Sequence, residues 1–259
     1  IIDQADYVMF TGSTETGKTI AAQAASRLVG FSAELGGKNL MIITSDVDLD
    51  RAVEGATVGC FANTGQLCIS IERIYVDQAI APTFIDRFAA RVASLKLSAA
   101  QEYGGEVGAL ASAAQLEKVT AHVADAVAKG ATVVAGGKAR PELGPFFYEP
   151  TILTDVTPEM DVYRGETFGP VVSVYPFSSV DDAVEQANDT EYGLNASVFG
   201  GDVRRAKQLA ARLMAGTVNV NDGYSSGWAS IDAPMGGMKA SGVGRRHGRD
   251  GLLKYTESQ

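Results

Sequence analysis

Short apolar runs rich in β-favouring residues alternate with amphipathic stretches along this chain, and that alternation leaves few folds open. Tyr7-Val8-Met9-Phe10 is the first such run. It stops at Thr11-Gly12-Ser13, and a helical stretch follows to about Leu28, with Ser13 or Thr14 as its cap. Leu40-Met41-Ile42-Ile43 is apolar throughout, as expected of a parallel strand buried on both faces. Residues 48–61 then read as helix, with Asp48 and Asp50 placing negative charge at its start. Ile74-Tyr75-Val76 predicts a strand, and Phe84, Phe88, Val92 and Leu95 form a helical stripe after it. Leu116, Val119, Val123 and Val127 form a second stripe, closed by Lys129-Gly130. Further strands are expected at 132–135, 171–175, 196–199 and 217–220. Helices are expected over 180–187, capped by Ser178 or Ser179, and from an Asp202 cap to Met214. Strand–helix alternation of this kind implies an α/β fold on a parallel sheet. The Gly-rich, basic stretch 236–251 reads as loop and then a short helix.

Charge and rare residues narrow the partners. A net charge of −9 argues against nucleic acid and against an anionic membrane surface, both of which want basic patches. No apolar run reaches membrane-spanning length and no signal peptide is visible. Two cysteines in 259 residues do not make a disulfide framework, so a reduced, cytoplasmic setting is the default. His122 and His247 stand in no metal-ligand spacing, and no metal site is expected. The opening Ile-Ile-Asp, without a Met, predicts a chain that starts in mid-protein.

Four stretches carry candidate chemistry. Gly12-Ser13-Thr14-Glu15-Thr16-Gly17-Lys18-Thr19 fits the phosphate-loop pattern of nucleoside triphosphatases, with a strand before it and a helix after it. There Lys18 would reach phosphates and Thr19 would hold magnesium. Against this, no clean apolar strand ends in a magnesium-holding Asp, although Ile43-Thr44-Ser45-Asp46 comes near. Either way, a helix N-terminus behind a Gly turn suits a pyrophosphate. In Glu34-Leu35-Gly36-Gly37-Lys38-Asn39, the carboxylate beside two glycines can activate water as a base, or it is a solvated loop Glu. In Gly165-Glu166-Thr167-Phe168-Gly169-Pro170, Glu166 can accept from ribose hydroxyls and Phe168 can press on a flat ring. The plainer alternative there is a surface turn with one anchoring aromatic. Phe61-Ala62-Asn63-Thr64-Gly65-Gln66-Leu67-Cys68-Ile69-Ser70 holds a cysteine behind a Gly-containing loop. Cys68 is a nucleophile or a small buried hydrophobe.

Together with Tyr192-Gly193-Leu194, Gly216-Thr217-Val218-Asn219 and the stretch from Pro234 through Lys239 to Gly242, the last three stretches resemble the aldehyde dehydrogenase superfamily. Order and spacing agree: Glu34 and Cys68 lie 34 residues apart, and Cys68 and Glu166 lie 98 apart. The resemblance runs over essentially the whole chain and leaves the phosphate-loop reading little room. It implies a remnant of a Rossmann-like dinucleotide-binding domain over 1–36, a parallel-sheet catalytic domain over 37–239, and a C-terminal segment, 240–259, returning toward the cofactor domain. It implies NAD or NADP as cofactor, a small-molecule aldehyde as substrate, and a homo-oligomer in the full-length form. By similarity, Cys68 attacks the aldehyde carbon as thiolate, and the later thioester is hydrolysed by water that Glu34 activates. The backbone N–H of Cys68 is one oxyanion donor, and the family's second is an Asn side chain from a region before Ile1. Thr11, Gly12, Ser13, Gly17 and Leu35 fall on the cofactor side, Glu166 at the ribose position and Phe168 at the ring-stacking one. Cys60 matches no catalytic position and is expected in the core.

The wording is closest to bacterial succinate-semialdehyde dehydrogenases. Ser230, four residues before Pro234, matches a Ser that holds the substrate carboxylate in such enzymes. Ala62 stands where better-known members have an Arg, and a buried carboxylate without a cation is costly, so a neutral aldehyde is the alternative substrate. Since the family enzyme is roughly twice as long, the resemblance predicts a piece that is inactive alone. Its other outcomes are a non-catalytic fragment and, last, the triphosphatase.

Overall fold

The computed structural model describes residues 1–100 and 103–257. Strand β1 (Tyr7–Thr11) leads into α1 (Thr14–Ser26), whose cap is Ser13: its Oγ accepts from the Thr16 N–H at 3.3 Å. Then come β2 (Gly30–Glu34), β3 (Asn39–Ile43) and α2 (Leu49–Phe61). Asp48 caps α2 by accepting from the Asp50 and Arg51 N–H groups at 3.0 and 3.1 Å. A short 3-10 turn, Ala62–Gly65, precedes β4 (Ile71–Asp77) and α3 (Ala81–Ala93). The middle of the chain supplies α4 (Ala113–Ala128), β5 (Thr132–Ala135), β6 (Thr151–Thr154), α5 (Asp161–Arg164), β7 (Val171–Phe177) and α6 (Val180–Asn188). After it come β8 (Tyr192–Gly193), β9 (Asn195–Phe199), α7 (Val203–Ala210), β10 (Thr217–Val220), α8 (Ser225–Ala229), β11 (Met238–Lys239), β12 (Gly242–Val243) and α9 (Gly248–Leu253).

Seven strands form the main sheet in the order β10-β9-β3-β4-β7-β6-β5, parallel except for the β5–β6 pair. A second sheet of three strands, β1-β2-β12, joins the two ends of the chain: β12 runs antiparallel to β2, with Gly242 opposite Glu34. The core follows from the strand period of two. On β3, Met41 and Ile43 face the apolar side of α2 and α3, meeting Ala56, Cys60, Phe84 and Phe88. Their neighbours Leu40 and Ile42 face the other way, onto Ala183, Ala187, Ala206 and Leu209 of α6 and α7. A third cluster sets Val119, Val123 and Ala126 of α4 against Tyr148, Leu153 and Met160. Cys60 is 2% exposed within the first cluster.

Several expectations need correction. The helix predicted to Leu28 ends at Ser26, where Leu28 takes a left-handed φ of 58° and leads the chain into β2. The helix predicted to Met214 stops at Ala210. Leu95 lies beyond α3, and Val127 of the α4 stripe is exposed. Glu34 ends strand β2 with strands on both sides; it is not a loop residue. The turn in Gly12–Lys18 is short, and α1 already begins at Thr14, so Thr14, Glu15 and Thr16 are helical. No four-residue loop remains to cradle phosphates, and Lys18 is exposed and paired with Glu15 at 2.8 Å; the triphosphatase reading falls on this geometry.

Candidate active site

A cavity of about 540 Å³ opens where β1 and β2 end and where β3, β4 and β7 begin. Thr11, Gly12, Ser13, Glu34, Leu35, Cys68, Glu166 and Phe168 all line it. Residues from distant parts of the chain thus meet at one place. Gln66, Gln115 and Lys118 complete the wall on the side of α4. Among the described residues, no cluster of His, Cys, Asp or Glu is suited to a metal ion.

Cys68 is half-buried at the end of a strained loop. Asn63, Thr64 and Gly65 have φ of 51°, 60° and 67°, three successive left-handed residues, one of them β-branched. Gly65 is required: a Cβ there would lie 2.2 Å from the Gly169 carbonyl oxygen. The strain is held by bonds to a neighbouring segment. The Thr64 hydroxyl accepts from the Gly108 N–H at 3.2 Å, and Gln66 Oε1 accepts from the Ala111 N–H at 2.8 Å. From below, Asn39 Nδ2 donates to the carbonyls of Cys68 and Ser70, both at 2.8 Å. Asn195 Nδ2 donates to the Ile69 carbonyl at 3.0 Å, and its oxygen accepts from Asn219 Nδ2 at 2.9 Å. Burial pushes the Cys68 thiol up from its ordinary range, as do the Glu34 and Glu166 carboxylates, while Arg246 and the residue's own backbone N–H pull it down.

Glu34 is 5% exposed. Burial raises its carboxyl above the usual carboxylate range, and Arg246, Lys254 and Arg245 act against that. Arg246 Nε stands 3.8 Å from Glu34 Oε1, and its guanidinium lies 5.9 Å from the centre of the Trp228 ring. A buried carboxylate held near a cation in this way is suited to proton abstraction from water.

Glu166 and Phe168 sit on one turn at the far wall. Glu166 Oε1 accepts from the Gly37 N–H at 2.8 Å, and Gly36 gives its carboxylate room, since a Cβ there would lie 2.8 Å from Oε2. Burial and Glu72 raise the Glu166 carboxyl, and the Gly37 N–H lowers it. Phe168 has a left-handed φ of 54°. Two of the sequence-predicted site residues do not reach the cavity wall. Gly17 is buried in α1 against Leu35, where a Cβ would come within 2.4 Å of the leucine methyl. Ser230, at the end of α8, lines a separate open depression with Ser226, Gly227 and Pro234.

Comparison with known proteins gives this geometry a family. The profile of the "Aldehyde dehydrogenase family" matches residues 3–259. The chain belongs to the aldehyde dehydrogenase family. It is 60% identical over 259 residues to a Mycobacterium ulcerans protein named "Putative succinate-semialdehyde dehydrogenase (NADP(+)) 2", covering all of this chain and 50% of that one. The betaine aldehyde dehydrogenase of Staphylococcus aureus, solved in complex with NAD+, superposes with a TM-score of 0.90 at 37% identity, over 97% of this chain and 50% of that one. An NADP-dependent enzyme of E. coli superposes with a TM-score of 0.92 at 39% identity, over 98% and 52%. The chain spans about half the length of the curated relatives it matches.

In this aldehyde dehydrogenase chain, sequence reasoning passed over residues that hold the site together. Asn39 stands in the Glu34–Asn39 motif without a role, and Asn195 stands between a motif and a strand without one. Lys38 and Glu72 form a buried ion pair, with side chains 1% and 3% exposed, and Glu72 also binds the backbone of the Glu166–Phe168 turn. The one available signal was position: Glu72 lies four residues after Cys68, and Ile71 precedes it and Ile74-Tyr75-Val76 follow closely, so its neighbours are mostly apolar although Arg73 stands beside it.

Proposed function

We propose that this chain carries the catalytic portion of an NAD(P)-dependent aldehyde dehydrogenase that converts succinate semialdehyde to its carboxylic acid. The observation that carries this reading is the meeting of Cys68, Glu34, Glu166, Phe168 and the start of α1 around one cavity. In this reading Cys68 Sγ adds to the aldehyde carbon and its own N–H binds the oxygen that becomes negative. Bound in the cavity, NAD or NADP supplies the hydride acceptor. The Gly12–Ser13 turn and the N-terminus of α1 suit the cofactor's phosphates, Glu166 its ribose and Phe168 the face of its ring. Glu34 takes a proton from the water that hydrolyses the Cys68 thioester. The domain boundaries at 36/37 and 239/240 are consistent with the three-stranded sheet drawing its strands from outside 37–239 and the seven-stranded and two-stranded sheets from within it. A homo-oligomer in the cytoplasm completes the proposal.

The substrate assignment rests on the 60% identity to the mycobacterial relative. A neutral aldehyde is the second reading: Ala62 offers no cation, Ser230 lies in a separate depression, and the S. aureus neighbour is named for betaine aldehyde. Turnover of succinate semialdehyde against an uncharged aldehyde of equal length, in the intact protein, separates the two. Equal turnover defeats the carboxylate reading. Iodoacetamide labelling of Cys68 with and without NAD(P) tests the site itself: a labelling rate that the cofactor leaves untouched argues against a shared cavity.

A further inference from the structure

Glu72 is a buried carboxylate in β4 with no place in the chemistry above. Its Oε1 accepts from the Thr167 N–H at 3.0 Å and from the Phe168 N–H at 2.9 Å, and its Oε2 accepts from the Thr167 N–H at 2.9 Å. The remaining charge is met by Lys38 Nζ, which donates to Oε2. Lys38 follows directly on Gly36–Gly37, the backbone that binds Glu166. The turn is fastened from its other side as well. Gln115 Nε2 donates to the Thr167 and Phe168 carbonyls at 2.8 and 2.7 Å, and the Thr167 hydroxyl lies 3.1 Å from His122 Nδ1. Thr167 is fully buried in consequence, and Phe168 is held at a φ of 54° that a bulky residue does not adopt unaided.

We propose that Glu72 is a positioning residue for the nucleotide side of the cavity. Its carboxylate, anchored by Lys38, fixes the Thr167–Phe168 backbone so that Glu166 and Phe168 face the cofactor. The inference rests on the function proposed above, and it adds a residue that touches neither substrate nor cofactor. A buried ion pair is a weak source of net stability, because desolvation offsets its attraction. What this one supplies is direction: two adjacent N–H groups are aimed at one carboxylate, which sets both peptide planes between Glu166 and Phe168.

The test uses Glu72→Gln in the intact protein, with NADPH and NADH binding followed by nucleotide fluorescence. Glutamine keeps an acceptor oxygen but loses the charge that binds the two N–H groups and Lys38. The expected result is a rise of about tenfold or more in the cofactor dissociation constant and KM. Labelling of Cys68 by iodoacetamide without cofactor stays within about twofold of the parent protein, since the Cys68 loop is held by Asn39 and Asn195. A variant that melts earlier but binds cofactor as the parent does overturns the proposal, because Glu72 is then structural alone. Gln115→Ala loosens the same turn from the partly exposed side and is the arm to read where Glu72→Gln does not fold. It too is expected to weaken cofactor binding, and unchanged binding counts against the turn's role. Failure of the parent protein to bind either nucleotide defeats the functional reading itself, which keeps the two outcomes apart.

Discussion

At Glu34, burial and nearby cations act on one carboxyl in opposite directions. Burial raises it, and Arg246, Lys254 and Arg245 lower it. Facing it from the nucleophile loop is Cys68, whose thiol Arg246 also lowers. Both proposed roles need the ionised form, so Arg246→Ala is expected to move the acid limb of the pH–rate profile to higher pH and to spare the rate at alkaline pH. An acid limb that stays in place removes Arg246 from this account. His122 offers a second pH test. Burial, then Lys38 and Lys118, hold its imidazole below the ordinary value of 6.5. The folded state therefore binds fewer protons there than the unfolded chain, and stability falls as pH drops below that value. Melting curves of His122→Gln should show a shallower loss on acidification. Gly65→Ala meets both a φ of 67° and a carbonyl oxygen at 2.2 Å, and is expected to lose about 1–3 kcal/mol of stability by denaturant titration.

Among the elements, α2 ties the core to the nucleophile loop. It starts on the Asp48 cap, packs Ala56 and Cys60 on β3, and ends at Phe61, where the strained turn begins. Asp48→Ala should cost about 1 kcal/mol in a denaturant titration, with little change in Cys68 labelling, since the cap lies at the other end of the helix. Elements of this kind were legible beforehand. Acidic residues mark the start of α2, helical stripes of apolar residues mark α3 and α4, and β3 is apolar at four successive positions, 40–43. Strand β2 was not legible. Gly30, Ser32 and Ala33 have little strand preference, and the segment is extended because β1 and β12 pair with it on either side. The same limit applied at the site. Cys68, Glu34 and Glu166 were readable because each stands in a Gly-marked motif. Lys38 and Glu72 look like surface residues one at a time, and their burial depends on meeting across 34 residues of chain.

Over the whole molecule, the cavity lies at a joint between two sheets with opposite polarity toward it. The three-stranded sheet presents the carboxyl ends of β1 and β2, the usual place for a ligand in an open α/β sheet. The seven-stranded sheet presents amino ends, those of β3, β4 and β7, and supplies the thiol from the loop leading into β4. A ligand there touches both sheets, so it should stabilise both together. At about a hundredfold its dissociation constant, NAD or NADP is expected to add about 2.7 kcal/mol. Calorimetry should show the gain within a single transition, and a lower transition left unmoved by cofactor would mean that one sheet melts independently of the site.

The pairing of Gly242 with Glu34 also sets a clock on synthesis. The strand that covers the outer edge of the proposed base is made more than two hundred residues after the base itself. At ribosomal elongation speeds of about 5–20 residues per second the interval is on the order of ten seconds or more. Until β12 has left the ribosome, β2 is an open edge beside a half-built pocket. The nascent chain cannot recruit its nucleotide to the finished site during that time, and a chaperone that shields exposed strand edges would find its target there.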